Sequence, residues 1–384
     1  MSTDALERRG ATNAIPATAN PPTGSGVNER ILQINDFCVD YGVDGSAVRA
    51  VDGVDLHLDR SKVLGIAGES GSGKSTLVYG FTRLLRAPAL ITGGTAFFNV
   101  GPANEGGPDE FIDLVTANEA TLRRVRWTQI SVVLQSALNA LNPVVRVSKL
   151  FDQVFKAHRR EMSRADRRAR AIELLDLVGL NQDRLQRFPH ELSGGQRQRV
   201  MIALALALDP KLVIMDEPTT ALDVVTQREI LGELAELRAR FGFAMIFITH
   251  DLSLLVELAD EIVVMYAGRL VERAGARALY EAPRHPYTLG LLNSFPPMHG
   301  ERQELTGIPG SPPDLSDLPG GCAFHPRCPY AMDRCTTESP PLAKLGDDSR
   351  YVACWLHVDD AHVVVPVELR RAVPIASSGD GGAT

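Results

Sequence analysis

Residues 68–75 read Gly68-Glu69-Ser70-Gly71-Ser72-Gly73-Lys74-Ser75, which is G-x-x-x-x-G-K-[ST]. The chemistry of that spacing is the capture of nucleotide phosphate. Glycines let the backbone turn sharply and approach an anion with no Cβ in the way. The freed N–H groups then face phosphate oxygens, and the start of a following helix adds positive potential. Lys74 is placed to reach the β- and γ-phosphates, and the Ser75 hydroxyl to sit on Mg²⁺. Taken alone, the octet also fits a glycine-rich turn with an incidental lysine.

Other residues downstream carry matching chemistry. Asp216 and Glu217 close the apolar run Leu212-Val213-Ile214-Met215. An acid at such a strand edge, facing the loop, holds Mg²⁺ through water, and Glu217 is placed to orient or deprotonate the water that attacks the γ-phosphate. His250 follows a second such run, Ala244 to Ile248, and is expected near the γ-phosphate. Leu192-Ser193-Gly194-Gly195-Gln196 is a serine cap and two glycines opening a helix. That is a second anion-binding helix start. The two starts lie either in one pocket or in two half-pockets completed by a partner chain.

The elements that must position these groups can be read from pattern. Lys62 to Ala67 predicts a short buried strand before the loop, and Thr76 to Leu85 a helix after it. Ile31 to Tyr41 and the alternating residues 52–59 predict strands of a small antiparallel sheet. Residues 128–135 predict another strand, ending at Gln135. Residues 136–190 predict a helical insert, with Ser163 as a cap. Ser193 caps a helix running to Leu208, stopped by Pro210. The runs at 212–215 and 244–248 are strands buried on both faces, joined by a helix over Thr226 to Phe241. Residues 263–271 predict a hairpin turning at Ala267-Gly268, and residues 101–109 a surface loop. From Pro283 to Gly320 proline is frequent and periodicity fades. This stretch reads as an extended linker with one short helix near Tyr287 to Leu292. The fold class expected is α/β.

Bulk properties narrow the function. The formal net charge is −7 over 384 residues, which argues against nucleic-acid binding as the main business. No run approaches the ~18–20 apolar residues that cross a bilayer. Residues 1–28 lack the apolar core of a secretory signal and read as a disordered tail. The chain is therefore expected in the cytoplasm, working at a membrane only through a partner. Of five cysteines, Cys38 reads as an inert core residue. The other four crowd into the C-terminal region, which in a cytosolic chain favours a metal over disulfides.

With those residues in order, the sequence resembles the ATP-binding subunit of an ABC transporter over residues 29–285. The resemblance implies a P-loop NTPase fold with an antiparallel β subdomain and a helical subdomain (136–190). Tyr41 matches the aromatic that stacks on adenine. Residues 68–75, with Thr76 beside them, match Walker A, and Gln135 matches the Q-loop glutamine that joins Ser75 and Asp216 on Mg²⁺. Ser193 to Gln196 match the signature, and residues 212–217 match the Walker B strand with its glutamate. Thr220-Ala221-Leu222-Asp223 matches the D-loop, with Thr where Ser is usual, and His250 matches the switch histidine. In that family two subunits pack head to tail, so Lys74 and Ser193 of one chain serve different ATP molecules.

The match narrows further. His285-Pro286-Tyr287-Thr288 and Gly307-Ile308-Pro309-Gly310-Ser311-Pro312-Pro313 resemble the C-terminal extension of dipeptide and oligopeptide importer ATPases. The Cys-rich part resembles it too, as does the Q-loop region at Gln135-Ser136 and Leu141-Asn142-Pro143. Nickel importers share much of it. The resemblance implies ATP hydrolysis coupled to peptide import, a second and different ATPase subunit, two permease subunits and an extracytoplasmic solute-binding protein. It implies a peripheral place on the cytoplasmic side of the cell membrane. Import of nickel or another small solute stays open, and a soluble ABC ATPase of translation or DNA repair is the remote alternative. On this reading residues 286–360 form the extension and 361–384 a loose tail.

Cys322, Cys328, Cys335 and Cys354 run C-x5-C-x6-C-x18-C. Four thiolates can close a Zn²⁺ site or hold an iron–sulfur cluster. The spacing has none of the short C-x2–4-C pairs that zinc ribbons favour. This tilts the expectation to a [4Fe–4S] cluster, which the resemblance also implies. Zinc and unligated thiols remain the alternatives, and His325 and His357 are expected outside the ligand set.

Overall fold

The computed structural model describes residues 29–42, 47–102, 107–134, 141–219, 222–294, 307–346, 349–358, 366 and 369. Gln135, Thr220, Ala221, the N-terminal tail and all but two residues of the C-terminal tail lie outside them.

A four-stranded antiparallel sheet, in the order β2-β1-β4-β5, opens the chain. It is made of β1 (Arg30–Tyr41), β2 (Val48–Asp59), β4 (Ala89–Pro102) and β5 (Asp109–Asp113). Both ends of the expected surface loop at 101–109 are strand, since β4 runs on through Pro102 and β5 begins at Asp109, while residues 103–106 lie outside the described residues. Helix α2 (Glu119–Val125), capped by Asn118, follows.

A second sheet runs β11-β12-β10-β9-β3-β8-β7-β6. Its centre is parallel: β6 (Ile130–Val133), β7 (Leu212–Asp216), β8 (Ala244–Ile248) and β3 (Val63–Ala67). Strands β3, β7 and β8 are buried throughout, as continuous apolar runs require when both faces are covered. The side-chain period of two divides them between two cores. Leu64, Ile66, Leu212, Ile214, Ala244, Ile246 and Ile248 face the antiparallel sheet and α1 (Lys74–Phe81). Val63, Ala67, Val213, Met215, Met245 and Phe247 face the helical side.

That side holds α3 (Val147–His158), α4 (Arg164–Leu177), α5 (Gly194–Ala205), α6 (Val224–Phe241) and α7 (Leu252–Leu258). Ser163 caps α4 in a reciprocal capping box with Asp166, and Ser193 caps α5 in another with Gln196. Helix α5 stops at Ala205, short of the expected Leu208. Residues 206–208 close as turns, with Ala207 N–H on the Leu204 carbonyl and Asp209 N–H on that of Leu206.

The C-terminal part joins this sheet. The hairpin of β9 (Glu261–Tyr266) and β10 (Arg269–Gly275) turns at Ala267-Gly268. Helices α8 (Ala276–Glu281) and α9 (Pro286–Asn293) follow, then α10 (Asp333–Thr337). The strands β11 (Ala343–Leu345) and β12 (Arg350–Val352), and α11 (Trp355–Val358), come last. β12 pairs antiparallel with β10, setting Val352 opposite Glu272. Three-residue strands are too short to announce themselves by periodicity. The described part of the 283–320 stretch is packed rather than slack. Tyr287 is fully buried, and Ile308 lies so close to Gly290 that a Cβ there would meet its Cγ1 at 2.7 Å. Among the described residues no helix is long and apolar enough to cross a membrane.

Candidate active site

The loop at 68–73 leaves the buried end of β3 and runs into α1. Its glycines at 68 and 73 answer to crowding as well as to backbone conformation. A Cβ on Gly68 (φ +147°) would stand 2.3 Å from the Met265 carbonyl oxygen. One on Gly73 (φ +98°) would stand 2.5 Å from that of Ala50. No side chain fits at either place, so the loop is wedged between β2 and the β9–β10 turn.

Lys74 is 5% exposed. Its Nζ donates to the carbonyls of Gly68 and Glu69, both at 2.8 Å. Burial pulls its pKa down, while the carboxylates of Glu217, Asp216 and Glu69 draw it back up. Two pairs close the flanks of α1: Tyr41 Oη and Thr76 Oγ1 lie 3.3 Å apart, and Tyr79 Oη donates to Asp216 Oδ2 at 2.6 Å.

Asp216 is wholly buried at the end of β7. Burial raises its pKa, against the lowering effect of the Tyr79 and Ser75 hydroxyls beside it. Its other oxygen, Oδ1, is buried with no hydrogen-bond partner among the described residues. An orphaned carboxylate oxygen next to a serine hydroxyl is costly unless a cation completes it. This donor set fits Mg²⁺, a hard cation that takes oxygen ligands and keeps several waters.

Glu217 adopts φ +46°, the left-handed region that a glutamate enters only at a cost. Its N–H donates to the Ile248 carbonyl at 2.9 Å, pinning the bend to β8. The carboxylate Oε1 lies 3.4 Å from Nδ1 of His250, which stands just past the end of β8 and is half exposed. The Gly68–Thr76 stretch, Tyr41, Asp216, Glu217 and His250 are thus gathered at one end of the parallel strands. Ser193, Gly194, Gly195, Gln196 and Asp223 gather elsewhere, at the facing starts of α5 and α6. There Gly195 packs against Thr226, whose N–H and hydroxyl both donate to Asp223, and Gly194 packs against Leu222.

Cys322, Cys328, Cys335 and Cys354 line a small enclosed cavity of about 20 Å³. Burial, reinforced by the neighbouring thiols, pushes Cys328 up to about 11 and Cys354 up to about 12. Four thiols are the donors that either zinc or an iron–sulfur cluster takes. Among the described residues, however, no three His, Cys, Asp or Glu side chains form a group that could hold a metal ion, which bears on both alike. His325 lines the same cavity but its Nδ1 lies 3.0 Å from the Cys322 carbonyl, and His357 Nε2 meets the Arg284 carbonyl at 2.9 Å. Cys38 is buried in β1, where its sulfur accepts the Gly53 N–H at 3.3 Å.

Sequence reasoning does not single out Tyr79 or Arg327, and places Tyr287 only in the C-terminal extension motif, yet all three touch this site. Tyr79 alone had a local signal: it lies on α1, five residues past Lys74.

Comparison with known proteins places the chain in a family. Residues 51–220 match the ABC transporter family model, and residues 271–335 match the oligopeptide/dipeptide transporter C-terminal region. The chain is 41% identical over 346 residues to the oligopeptide transport ATP-binding protein OppD of Bacillus subtilis, covering 89% of this chain and 93% of that one. It is 40% identical over 333 residues to the dipeptide transport ATP-binding protein DppD of Escherichia coli, covering 86% and 98%. Among solved structures it resembles the dimeric ATP-binding cassette MJ0796 in a post-hydrolysis state bound to ADP and Pi. There the TM-score is 0.55 at 26% identity, over 64% of this chain and 99% of that one. The chain therefore belongs to the ABC transporter ATPases, in the group of oligopeptide and dipeptide transport ATP-binding proteins.

Proposed function

We propose that this chain is the ATP-hydrolysing subunit that energises peptide import across the cytoplasmic membrane, peripheral on its cytoplasmic side. The observation that carries the reading is the convergence of Lys74, Asp216, Glu217 and His250 on one phosphate-binding loop. ATP is the substrate. Backbone N–H groups of residues 70, 71 and 73–76 hold its phosphates, and Lys74 turns from the loop carbonyls to the β- and γ-oxygens. Tyr41 stacks on the base. Ser75, Asp216 and Gln135 would hold Mg²⁺, which would supply charge compensation to the triphosphate. Glu217 takes a proton from the attacking water, and His250 fixes the Glu217 carboxylate and donates toward the γ-phosphate. Phosphoryl transfer asks for positioning and charge compensation more than covalent chemistry.

The cluster of Ser193 to Gln196 with Asp223 completes the nucleotide site of a second ATPase subunit, which we take to be a different chain. Two permease subunits carry the peptide, delivered by an extracytoplasmic solute-binding protein. An apolar groove of about 190 Å³ leads to the start of the Gln135 segment, and includes exposed Leu84, Trp127 and Leu134. A chain of this family with no membrane-crossing helix among its described residues must dock on subunits that have them. We assign this groove to a cytoplasmic segment of a permease. Residues 286–360 form an extension, in which Cys322, Cys328, Cys335 and Cys354 would be the ligands of a [4Fe–4S] cluster that would tie them together.

Replacing Glu217 with Gln tests the assignment. The variant should bind ATP with unchanged affinity, while turnover in the purified transporter falls by at least ~100-fold, within the range seen when a reaction-orienting group is removed. Peptide uptake into vesicles should fall in step. Normal uptake by this variant would refute the role of Glu217.

A further inference from the structure

The phosphate-binding loop is held from outside by residues more than two hundred positions away. Arg327 is 7% exposed, and its guanidinium forks onto the Glu69 carboxylate. Nη1 donates to Oε2 at 2.7 Å and Nη2 to Oε1 at 3.0 Å. The fork is itself fixed. Nε donates to the Pro309 carbonyl at 2.8 Å, and Nη1 meets Tyr266 Oη at 3.3 Å. Its carbon stands 5.9 Å from the Tyr266 ring centroid and 6.0 Å from that of Phe324. On the same residue of the loop, the Glu69 N–H donates to Tyr287 Oη at 2.7 Å. The Glu69 carbonyl takes a hydrogen bond from Lys74. All three polar groups of Glu69 are thereby engaged, two of them by the C-terminal segment.

Two physical consequences push the same way. A loop whose second residue is fixed by both backbone and side chain has less freedom to lose when it closes on phosphate. A bidentate guanidinium also compensates a carboxylate that would otherwise stand beside the incoming anion. We propose that Arg327 and Tyr287 are positioning residues of the nucleotide site, and that the C-terminal segment, by docking on Glu69, sets the affinity of the P-loop for ATP. This rests on the reading of residues 68–75 as the ATP site. It gives the C-terminal part of the chain a role in the ATPase cycle beyond tethering the four cysteines, since Arg327 immediately precedes Cys328.

The test is steady-state ATP hydrolysis against MgATP concentration, with the full chain in its assembled transporter. Arg327→Gln should raise the KM for ATP about tenfold, the size of one charge-assisted contact, while kcat changes less than about threefold. Arg327→Lys should recover only part of the loss, because an ammonium cannot fork. Tyr287→Phe, which leaves the Glu69 N–H without its acceptor, should raise KM about threefold. The pair Glu69→Gln with Arg327→Gln should be no worse than Arg327→Gln alone. If Arg327→Gln does not fold, Glu69→Gln probes the same contact from the loop side; it loses the anchor but leaves no carboxylate beside the phosphates, so its KM should rise by less, about threefold. A KM within twofold of the parent in folded Arg327→Gln or Glu69→Gln protein, or additive effects in the double variant, overturns the proposal. Lys74→Ala separates the two readings. If that variant binds ATP as the parent does, it is the ATP-site assignment that fails.

Discussion

Lys74 and Cys354 are both largely buried and both titratable, yet their surroundings differ in kind. Lys74 sits among acids that compensate it, Glu217, Asp216 and Glu69, and its ammonium rests on loop carbonyls it can leave. Among the described residues Cys354 has no charged partner, and only the Leu356 N–H works against its upward shift. Burial and three other thiols push it up to about 12, so it is held as a neutral thiol unless something cationic arrives. The nucleotide end is thus built from exchangeable contacts. Its polar groups are already cross-paired, as Lys74 is with the loop carbonyls, and can be re-paired around a passing substrate. The thiols of the small four-cysteine cavity are held neutral by burial, so no contact there is poised for exchange with a passing anion.

The largest way to break this contrast is Cys354→Ser. If the cavity holds a permanent thiolate-bound cluster, the variant should lose iron, lose visible absorbance and lose roughly 3 kcal/mol or more of stability in the C-terminal part. Its P-loop would still respond to ATP. If the thiols are unligated, this near-isosteric change should cost less than about 1 kcal/mol, and no iron should be found. Iron analysis of the purified full-length chain, with its melting curve, decides between them.

A smaller effect comes from protons. His285 caps α9 in its neutral form, its Nδ1 accepting the Tyr287 N–H at 3.0 Å. Burial drives its pKa down to about 3, whereas an unfolded histidine titrates near 6.5. Below about pH 6.5 the unfolded chain therefore binds the extra proton, and stability falls as pH falls, while above it this residue contributes a flat plateau. Half-buried His357 is shifted the same way. Between pH 7 and 5 the loss from His285 alone is roughly 2 kcal/mol. Trp355 reports on this region, and Trp127→Phe makes it the sole tryptophan of the chain. Its unfolding midpoint should drop across that window and stay constant between pH 7 and 8. His285→Gln should flatten the slope.

What could be read in advance follows the same division. Strands β3, β7 and β8 are legible because unbroken apolar runs have one good use in an α/β chain, and the residues that end them inherit their place. Glu217 and His250 were found that way, from position alone. The capped starts at Ser163 and Ser193 are local chemistry and were equally visible. The Arg327–Glu69 fork is not local: 258 residues separate its ends, and a single arginine carries no spacing signal. Strands β11 and β12 failed for a related reason, since three residues cannot display a period and their place beside β10 is decided by tertiary pairing. The four cysteines were legible as a group but not as a geometry, because sulfur positions depend on turns that spacing does not encode.

The smallest prediction sharpens the nucleotide side of the contrast. Tyr79 donates to one oxygen of Asp216 and leaves the other, Oδ1, without a partner among the described residues. The hydroxyl does two things at once. It holds the carboxylate in one rotation, and it favours the charged form against the burial that raises its pKa. Tyr79→Phe keeps the ring packing and removes only the hydroxyl. Asp216 then becomes both less fixed and easier to protonate, and each change weakens it as a cation ligand. The loss should be about 1 kcal/mol, a modest share of one hydrogen bond to a charged group. The Mg²⁺ concentration for half-maximal ATP hydrolysis should therefore rise about threefold to tenfold, more steeply at pH 6 than at pH 8, with little change in melting temperature. An unchanged Mg²⁺ requirement would mean that Asp216 is positioned by β7 alone, and that the orphaned oxygen owes nothing to Tyr79.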